Sequence, residues 1–281
     1  MASSQQRITA KDWSATQYLK FEEQRTRPAR DLLAQVPLTS PRRIVDLGCG
    51  PGNSTALLAA KYPEAAVSGV DSSPNMISKA QEALLAADHH RALDFSVGDL
   101  REYRATQPMD LIFSNATFQW LGTNERIKAM RHLIEESLSP GGVLAIQIPD
   151  NLDEPSHALM RDTAASGPWA ETLAASGPGR TRIQSVQELY DQLIPYCSSL
   201  DIWHTVYQHP LDSHGSIVEW LKGTALRAFI DPLADHERED FLAAYLARIK
   251  EAYPASNNGR VLLRFPRLFL VATKIQQVTD P

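Results

Sequence analysis

The sequence predicts an α/β fold, a mostly parallel sheet carrying helices on both faces. Three observations predict it. Between residues 40 and 150, short apolar runs alternate with helical patterns, as successive β-α units require. The first run, Ile44-Val45-Asp46-Leu47, passes into Gly48-Cys49-Gly50-Pro51-Gly52-Asn53 and then into the helix-compatible stretch Ser54 to Ala60. Third, Asp46, Asp71 and Asp99 each fall at or near the carboxyl end of a strand in three successive units. Right-handed crossovers put ligands at that end of such a sheet.

The elements follow in order. From Ala15 to Val36 the pattern is helical through Tyr18, Leu19, Leu32, Leu33 and Val36. Pro28 should divide it into two short helices, because the residue before a proline is pushed out of the α region, and Thr26 could cap the second. Ala66 to Val70 is a second strand ending at Asp71, and Ser73 is placed to cap a helix from Asn75 to Ala87. Leu93 to Val97 and Asp110 to Ser114 are the third and fourth strands. Asn124 to Leu138 has helical spacing, and Pro140-Gly141-Gly142 turns into a fifth strand, Val143 to Ile148. Beyond Pro149 the rhythm changes. Residues 166 to 181 read as a Gly/Ala/Ser/Pro-rich loop, Gln187 to Ile194 as a helix and Leu200 to Tyr207 as a strand. Helical patterns cover Ser216 to Phe229 and His236 to Tyr253. A last strand runs from Val261 to Lys274, with an interruption expected at Pro266. The 281 residues thus make a single domain: lid helices over 1–36, a ligand-binding core over 40–150, and a helical cap inserted at 209–259.

Composition narrows the partners. Hydrophobic content of 43% and charged content of 22% are ordinary globular values. A net charge of −5 and a pI near 5.9 argue against nucleic acid, and an anionic substrate would need a local arginine cluster. With only Cys49 and Cys197, a disulfide framework is not expected and a reducing, cytoplasmic setting is. No apolar stretch reaches the roughly 20 residues of a membrane helix, and the polar start lacks the apolar core of a signal peptide. No His/Cys/Asp cluster has metal-ligand spacing, so no metal is expected.

Glycine is needed where φ is positive or where a Cβ would meet a ligand. Gly48, Gly50 and Gly52 give G-x-G-x-G, not the G-x-G-x-x-G of dinucleotide binders. From Gly48 to Thr55 there is no Lys or Arg, so a phosphate cradle is not expected, whereas Asp46 suits a ligand bearing a cation. Asp71 stands nineteen residues after Gly52. A carboxylate there can accept both hydroxyls of a ribose; a helix-capping acid is the other reading. These residues resemble motif I and its successors in the class I S-adenosylmethionine (SAM) methyltransferases. The resemblance implies a Rossmann-like sheet of seven strands with the last antiparallel, SAM as cofactor and S-adenosylhomocysteine as product. It implies that Asp46, with Gly48, Gly50, Gly52 and Asn53, serves the methionine end, and that Asp71 and Ser72 hold the ribose. Asp99 and Leu100 would meet the adenine edge, Met76 its face, and Asn115 and Ala116 would line the cofactor near its ribose and sulfonium.

The stretch after the fourth strand reads Ser114-Asn115-Ala116-Thr117-Phe118-Gln119-Trp120-Leu121, without the Pro-Pro of amine-directed base methyltransferases. Further segments are Asp12-Trp13, Tyr18-Leu19, Arg25-Thr26-Arg27-Pro28-Ala29, Gln147-Ile148-Pro149-Asp150-Asn151, Glu154-Pro155 and Phe265-Pro266-Arg267-Leu268-Phe269. Together they resemble the trans-aconitate methyltransferase family over nearly the whole chain. That resemblance implies a carboxyl O-methyltransferase giving the monomethyl ester of a small tricarboxylate.

Such a reaction needs no catalytic base, because a carboxylic acid with a pKa of about 4 is already ionised at neutral pH. Position and orientation then supply most of the acceleration, up to roughly 7–11 kcal/mol. A carboxylate and a sulfonium become a neutral ester and a neutral thioether, so a dry pocket favours the transition state. Arginines should therefore grip the carboxylates that do not react, and neutral donors should orient the one that does. Candidate donors are Trp120, Gln119, Gln147 and Tyr18, with Trp120 fitting a pocket or a core position equally. Candidate grips are Arg25, Arg27, Arg264 and Arg267. Three other readings use the same residues: transfer to another small carboxylic acid or hydroxyl, a non-catalytic SAM-binding protein, and an NAD-dependent oxidoreductase. The glycine spacing and Asp46 count against the last.

Overall fold

The computed structural model describes residues 21–86, 93–176 and 179–276. Among them the apolar runs become β1 (Arg43–Leu47), β2 (Ala66–Asp71), β3 (Leu93–Val97), β4 (Met109–Asn115), β5 (Leu138–Pro149), β6 (Cys197–Leu211) and β7 (Val261–Lys274). They form one sheet of seven strands in the order β3-β2-β1-β4-β5-β7-β6. β1 to β5 pair in parallel, while β7 runs antiparallel to both β5 and β6. The apolar layer holding Val45, Ile112, Leu144 and Leu270 covers one face, and that holding Ile44, Leu111, Ala145 and Phe269 covers the other. Residues adjacent in sequence thus face opposite ways, and both faces are dry, which is why the strands read as continuous apolar runs.

Several boundaries differ from the sequence reading. α1 (Glu22–Ala34) is one helix with Pro28 inside it. Pro28 lacks only one intrahelical donor, and Ala29, Leu32 and Leu33 pack into the core directly after it, so tertiary burial overrides the local break. Thr26 lies within this helix and caps nothing. The helix expected to reach Leu138 is α-helical only over α4 (Thr123–His132), and Leu133–Ser137 widens into a π turn. That turn buries Leu133 and Ile134 together and delivers Leu138 straight into β5. The 166–181 stretch contains a helix, α6 (Ala170–Ser176), held from outside itself. Trp169 beside it is buried, donates from Nε1 to the Thr163 carbonyl at 2.7 Å, and meets Phe241 edge-on. The pattern from Ser216 to Phe229 breaks after Gly223 into α8 (His214–Lys222) and α9 (Arg227–Ile230). Pro266 does not interrupt β7. Its carbonyl accepts from Asp150 N–H, so the edge that lacks a donor faces the point where β5 has ended.

The remaining helices are α2 (Asn53–Lys61), α3 (Pro74–Ala86), α5 (Pro155–Ala165), α7 (Val186–Leu193) and α10 (Asp235–Ala252). β5 ends at Pro149, opposite Arg267, but β7 begins at Val261 and pairs along its whole length with β6. Residues 261–266 with 206–211 therefore form a two-stranded ribbon that rises past the carboxyl end of β5. Val261, Leu263 and Phe265 on this ribbon pack with Trp220, Leu221, Phe241, Tyr245 and Met160 into a separate apolar cluster. The ribbon thus anchors α5, α8 and α10 beside the strand ends where a ligand would sit.

Candidate active site

The glycine loop between β1 and α2 is tied to β2 by Gly48 N–H and Cys49 N–H, both donating to the Val70 carbonyl at 2.7 and 3.1 Å. Gly48, Gly50 and Gly52 have φ of 74°, 55° and 93°. A Cβ on Gly48 would strike Thr117, whereas one on Gly50 would meet nothing within 4 Å. Gly50 thus leaves backbone open to a cleft of about 430 Å³. Gly48, Gly50 and Asn53 line that cleft, with Asn53 Nδ2 donating to Glu22 on α1 at 2.5 Å. Gly52 lies behind it, against Phe95 and Ala80, as the N-cap of α2. Burial pushes the Cys49 thiol well above its ordinary range, so it stays protonated and fills the turn.

Asp46 corrects one expectation. It is fully buried beneath the loop and does not line the cleft, because the Ser54 and Thr55 hydroxyls in the first turn of α2 both donate to its Oδ2, at 2.6 and 2.7 Å. Its other oxygen has no partner among the described residues. Burial pushes its pKa up to about 6, against the lowering effect of the two hydroxyls. A carboxyl raised on folding contributes stability that is full below its ordinary pKa and is lost as pH rises through about 6. Asp46→Asn is expected to remove up to roughly 3 kcal/mol of that pH dependence. Urea unfolding free energies of both proteins between about pH 4.5 and about pH 7.5, where about 2 kcal/mol of that difference falls, check this, and parallel curves would refute it.

The other acids sit on the cleft. Asp71 Oδ2 accepts from Gly50 N–H and Oδ1 from Ser73 N–H, each at 2.9 Å, which locks the carboxylate at the end of β2. Ser73 Oγ in turn accepts from Met76 N–H, capping α3. Asp99 receives Arg101 Nε on both oxygens at 3.0 Å, and this guanidinium holds its pKa below the usual carboxylate range. Ser72, Met76, Leu100, Asn115 and Ala116 complete this half of the lining. Ala116 has φ 59°, left-handed for a residue with a Cβ, and its N–H donates to the Gln147 carbonyl at 2.9 Å. That twist turns the chain out of β4 and leaves Asn115 Oδ1 without a partner among the described residues.

The far half is built by α1, the cap and β7. Arg25 is buried, donates from Nη2 to the Trp220 carbonyl at 3.0 Å and lies over the Trp220 ring. Arg267 is buried, donates from Nη1 to Gln147 Oε1 at 3.0 Å and stacks on Phe265. Gln119 and Trp120 also line the cleft; Gln119 Nε2 is directed to the Ala116 carbonyl, and Trp120 is 42% exposed, a wall residue and not a core aromatic. Three expected residues stand elsewhere. Arg27 points outward beside Asp31 and over Tyr207, and Arg264 pairs with Glu154. Gln147 is completely buried behind Arg267, as its acceptor. Tyr18 lies outside the described residues.

Sequence reasoning missed Asn151, His157, Arg180 and Trp220, all of which line the cleft. Only the Pro149-Asp150-Asn151 and Glu154-Pro155 segments pointed near them; Arg180 lay in the stretch read as a featureless loop. His157 is buried, and burial with the nearby Arg180 lowers its pKa to about 3, so the ring is neutral at working pH. Among the described residues, no group of His, Cys, Asp and Glu could hold a metal ion.

A methyltransferase-domain model matches residues 44–142, the stretch from β1 to the start of β5 that supplies the glycine loop and Asp71. Among solved structures, the YcgJ protein of Bacillus subtilis superposes with a TM-score of 0.59 at 14% identity, covering 89% of this chain and 99% of that one. Phosphoethanolamine N-methyltransferase 2 of Haemonchus contortus, solved in complex with SAM, superposes with a TM-score of 0.54 at 15% identity, over 93% of this chain and 57% of that one. These two likenesses are of fold. The trans-aconitate 2-methyltransferase of Rhodopseudomonas palustris (strain BisB18) is 53% identical over 263 residues, 94% of this chain and 99% of the relative. That likeness runs through the cap and β7 as well as the glycine loop, and the chain belongs to the trans-aconitate 2-methyltransferase family.

Proposed function

We propose that this chain is a SAM-dependent carboxyl O-methyltransferase that forms the monomethyl ester of trans-aconitate. One observation carries the reading: a single cleft is lined both by an open glycine loop with fixed carboxylates and by buried arginines. The residues fit the cofactor. Gly50 leaves a gap with no atom within 4 Å of where a Cβ would stand, and Asn115 carries a buried oxygen without a partner among the described residues. The donor set, carboxylates without a Lys or Arg in the loop, suits a cation and a ribose, not a phosphate. SAM would supply an electrophilic methyl group on a sulfonium.

In this reading Asp71 and Ser72 hold the ribose, Asp99 and Leu100 the adenine edge, and Met76 its face. Gly48, Gly50, Asn53, Asn115 and Ala116 cradle the rest, with Asp46 and Gly52 shaping the loop from behind. Arg25 and Arg267 hold carboxylates that do not react. Trp120 and Gln119 orient the one that does. Residues 21–36 and the 209–259 cap cover the core on that side and keep water out, which strengthens every charged contact inside. The substrate is a small polycarboxylate; an acidic chain of net charge −5 speaks against nucleic acid.

The test incubates the protein with methyl-labelled SAM and a panel of di- and tricarboxylates. Base-labile ester formed on trans-aconitate is the expected result. SAM binding with no carboxylate turned over would sink the reading, and faster transfer to another small acid would reassign the substrate.

A further inference from the structure

We propose that Arg180, Asn151 and His157 form a subsite for a carboxylate that does not react, and that this subsite sets a preference for polycarboxylates over simpler acids. The proposal rests on the carboxyl-methyltransferase reading of the cleft. All three residues line it, and each carries a buried nitrogen with no hydrogen-bond partner among the described residues: Arg180 Nε, Asn151 Nδ2 and His157 Nε2. Ser156 Oγ lies 3.2 Å from His157 Nδ1. In the tautomer where that hydroxyl donates, Nε2 carries the hydrogen and is a third donor. Buried donors without acceptors are costly, so in that tautomer three donors in one wall favour an anion there.

The charge at the subsite points the same way. Arg180 donates from Nη2 to the Pro149 carbonyl at 2.9 Å and to Asn151 Oδ1 at 3.1 Å, and lies over the Trp120 ring at 5.7 Å. These partners are all neutral. Behind it Arg126 is wholly buried and also bound only to neutral acceptors among the described residues. It donates to the Phe118 and Leu121 carbonyls on one side, and to the Arg182 carbonyl, Thr181 Oγ1 and Gln184 Oε1 on the other. Arg126 therefore staples the Gln119-Trp120 turn to the segment that follows Arg180. Asp150 lies near enough to favour both cations but makes no ion pair with either. Burial and Arg126 lower the Arg180 pKa to about 10, which leaves it a poorly hydrated cation at neutral pH.

Position explains why the ligand should carry more than one carboxylate. Pro149, whose carbonyl holds Arg180, is the strand partner of Arg267. The two guanidiniums therefore approach the cleft from either side of the end of β5, and one carboxylate at each leaves a third group for transfer. Arg180 also lines an adjoining chamber of about 540 Å³ with Arg161 and with Arg182, the latter ion-paired to Asp153.

Calorimetric titration with propane-1,2,3-tricarboxylate and with glutarate, both in the presence of S-adenosylhomocysteine, tests the subsite without turnover. Arg180→Met is expected to weaken the tricarboxylate about 100-fold and glutarate less than about threefold, with S-adenosylhomocysteine affinity unchanged. Asn151→Asp, nearly isosteric, sets a carboxylate against Arg180 and should give the same selective loss even if Arg180→Met folds poorly. Added guanidinium ion should partly restore tricarboxylate binding to Arg180→Ala. Equal weakening of both ligands, no weakening, or a wild-type protein that binds no tricarboxylate would overturn the proposal. Selective binding without ester formation would sink only the methyl-transfer reading.

Discussion

Replacing Gly48 with alanine is expected to cost this protein about 3–5 kcal/mol of stability and to lower its Tm by about 10 °C. The φ of 74° at Gly48 is left-handed, which a Cβ makes unfavourable by about 1–2 kcal/mol. The larger part is steric. The new Cβ would stand 2.0 Å from Thr117 Oγ1, 2.4 Å from its Cγ2 and 2.6 Å from its Cβ. A rotamer change moves the first two atoms but not the third, so backbone must shift. Neither segment can give easily, since Gly48 N–H is bonded to Val70 and Thr117 Oγ1 donates to the Gly48 carbonyl. The 116–121 turn that would be displaced carries Gln119 and Trp120, so activity should fall with stability. Thermal unfolding of two double variants separates the causes. Thr117→Ala should not rescue Gly48→Ala, because its Cβ remains at the clash, whereas Thr117→Gly should recover a large part of the loss. A single variant melting within about 2 °C of wild type would refute the argument.

The half of the cleft that carries the glycine loop was legible because its signals are local. A strand, a turn and a helix N-terminus lie within a dozen residues, and Leu93–Val97 and Val261–Lys274 fall where apolar alternation puts them. The other half of the cleft is assembled from α1, the end of β5, α5, the 179–185 segment, α8 and β7, so no short window contains it. Local geometry still narrowed the choice more than the bare residue list did. Arg25 and Arg27 are two apart on a helix and cannot share a face; Arg25 turns in and Arg27 out. Arg264 and Arg267 are three apart on a strand and face opposite sides, so only Arg267 reaches the cleft. In each pair one grip could have been discarded in advance. Asp46 was misplaced for the converse reason: the motif marks an acid at the strand end, but the Ser54 and Thr55 hydroxyls that claim it lie in the following helix. Arg180 carried no pattern at all, since a binding arginine in an irregular segment looks like a solvated one.

Arg267 should carry the second large effect, and its neighbour Gln147 gives the sharper test. Truncating a buried, hydrogen-bonded cation that holds an anion costs enough that Arg267→Met is expected to lower kcat/KM for trans-aconitate about 100- to 1,000-fold. A grip on carboxylates that do not change charge acts in the ground state and the transition state alike, so the loss should appear mainly in KM. The KM for SAM should hold, because Arg267 belongs neither to the glycine loop nor to the carboxylates assigned to the cofactor. Loss of packing on Phe265 could mimic part of this, which is why Gln147 matters. Its Oε1 receives Arg267 Nη1 at 3.0 Å, so the guanidinium is aimed by a neutral amide. Gln147→Glu preserves shape and contact but puts a carboxylate at that distance, and the resulting internal pair competes with substrate for the same cation. It should therefore fold, retain SAM affinity and lose most of the kcat/KM that Arg267→Met loses. Gln147→Leu leaves the charge and removes only the aim, and about a tenfold rise in KM is expected. If Gln147→Glu turns over trans-aconitate within about threefold of wild type, Arg267 does not grip the substrate, and its burial under the cap is structural.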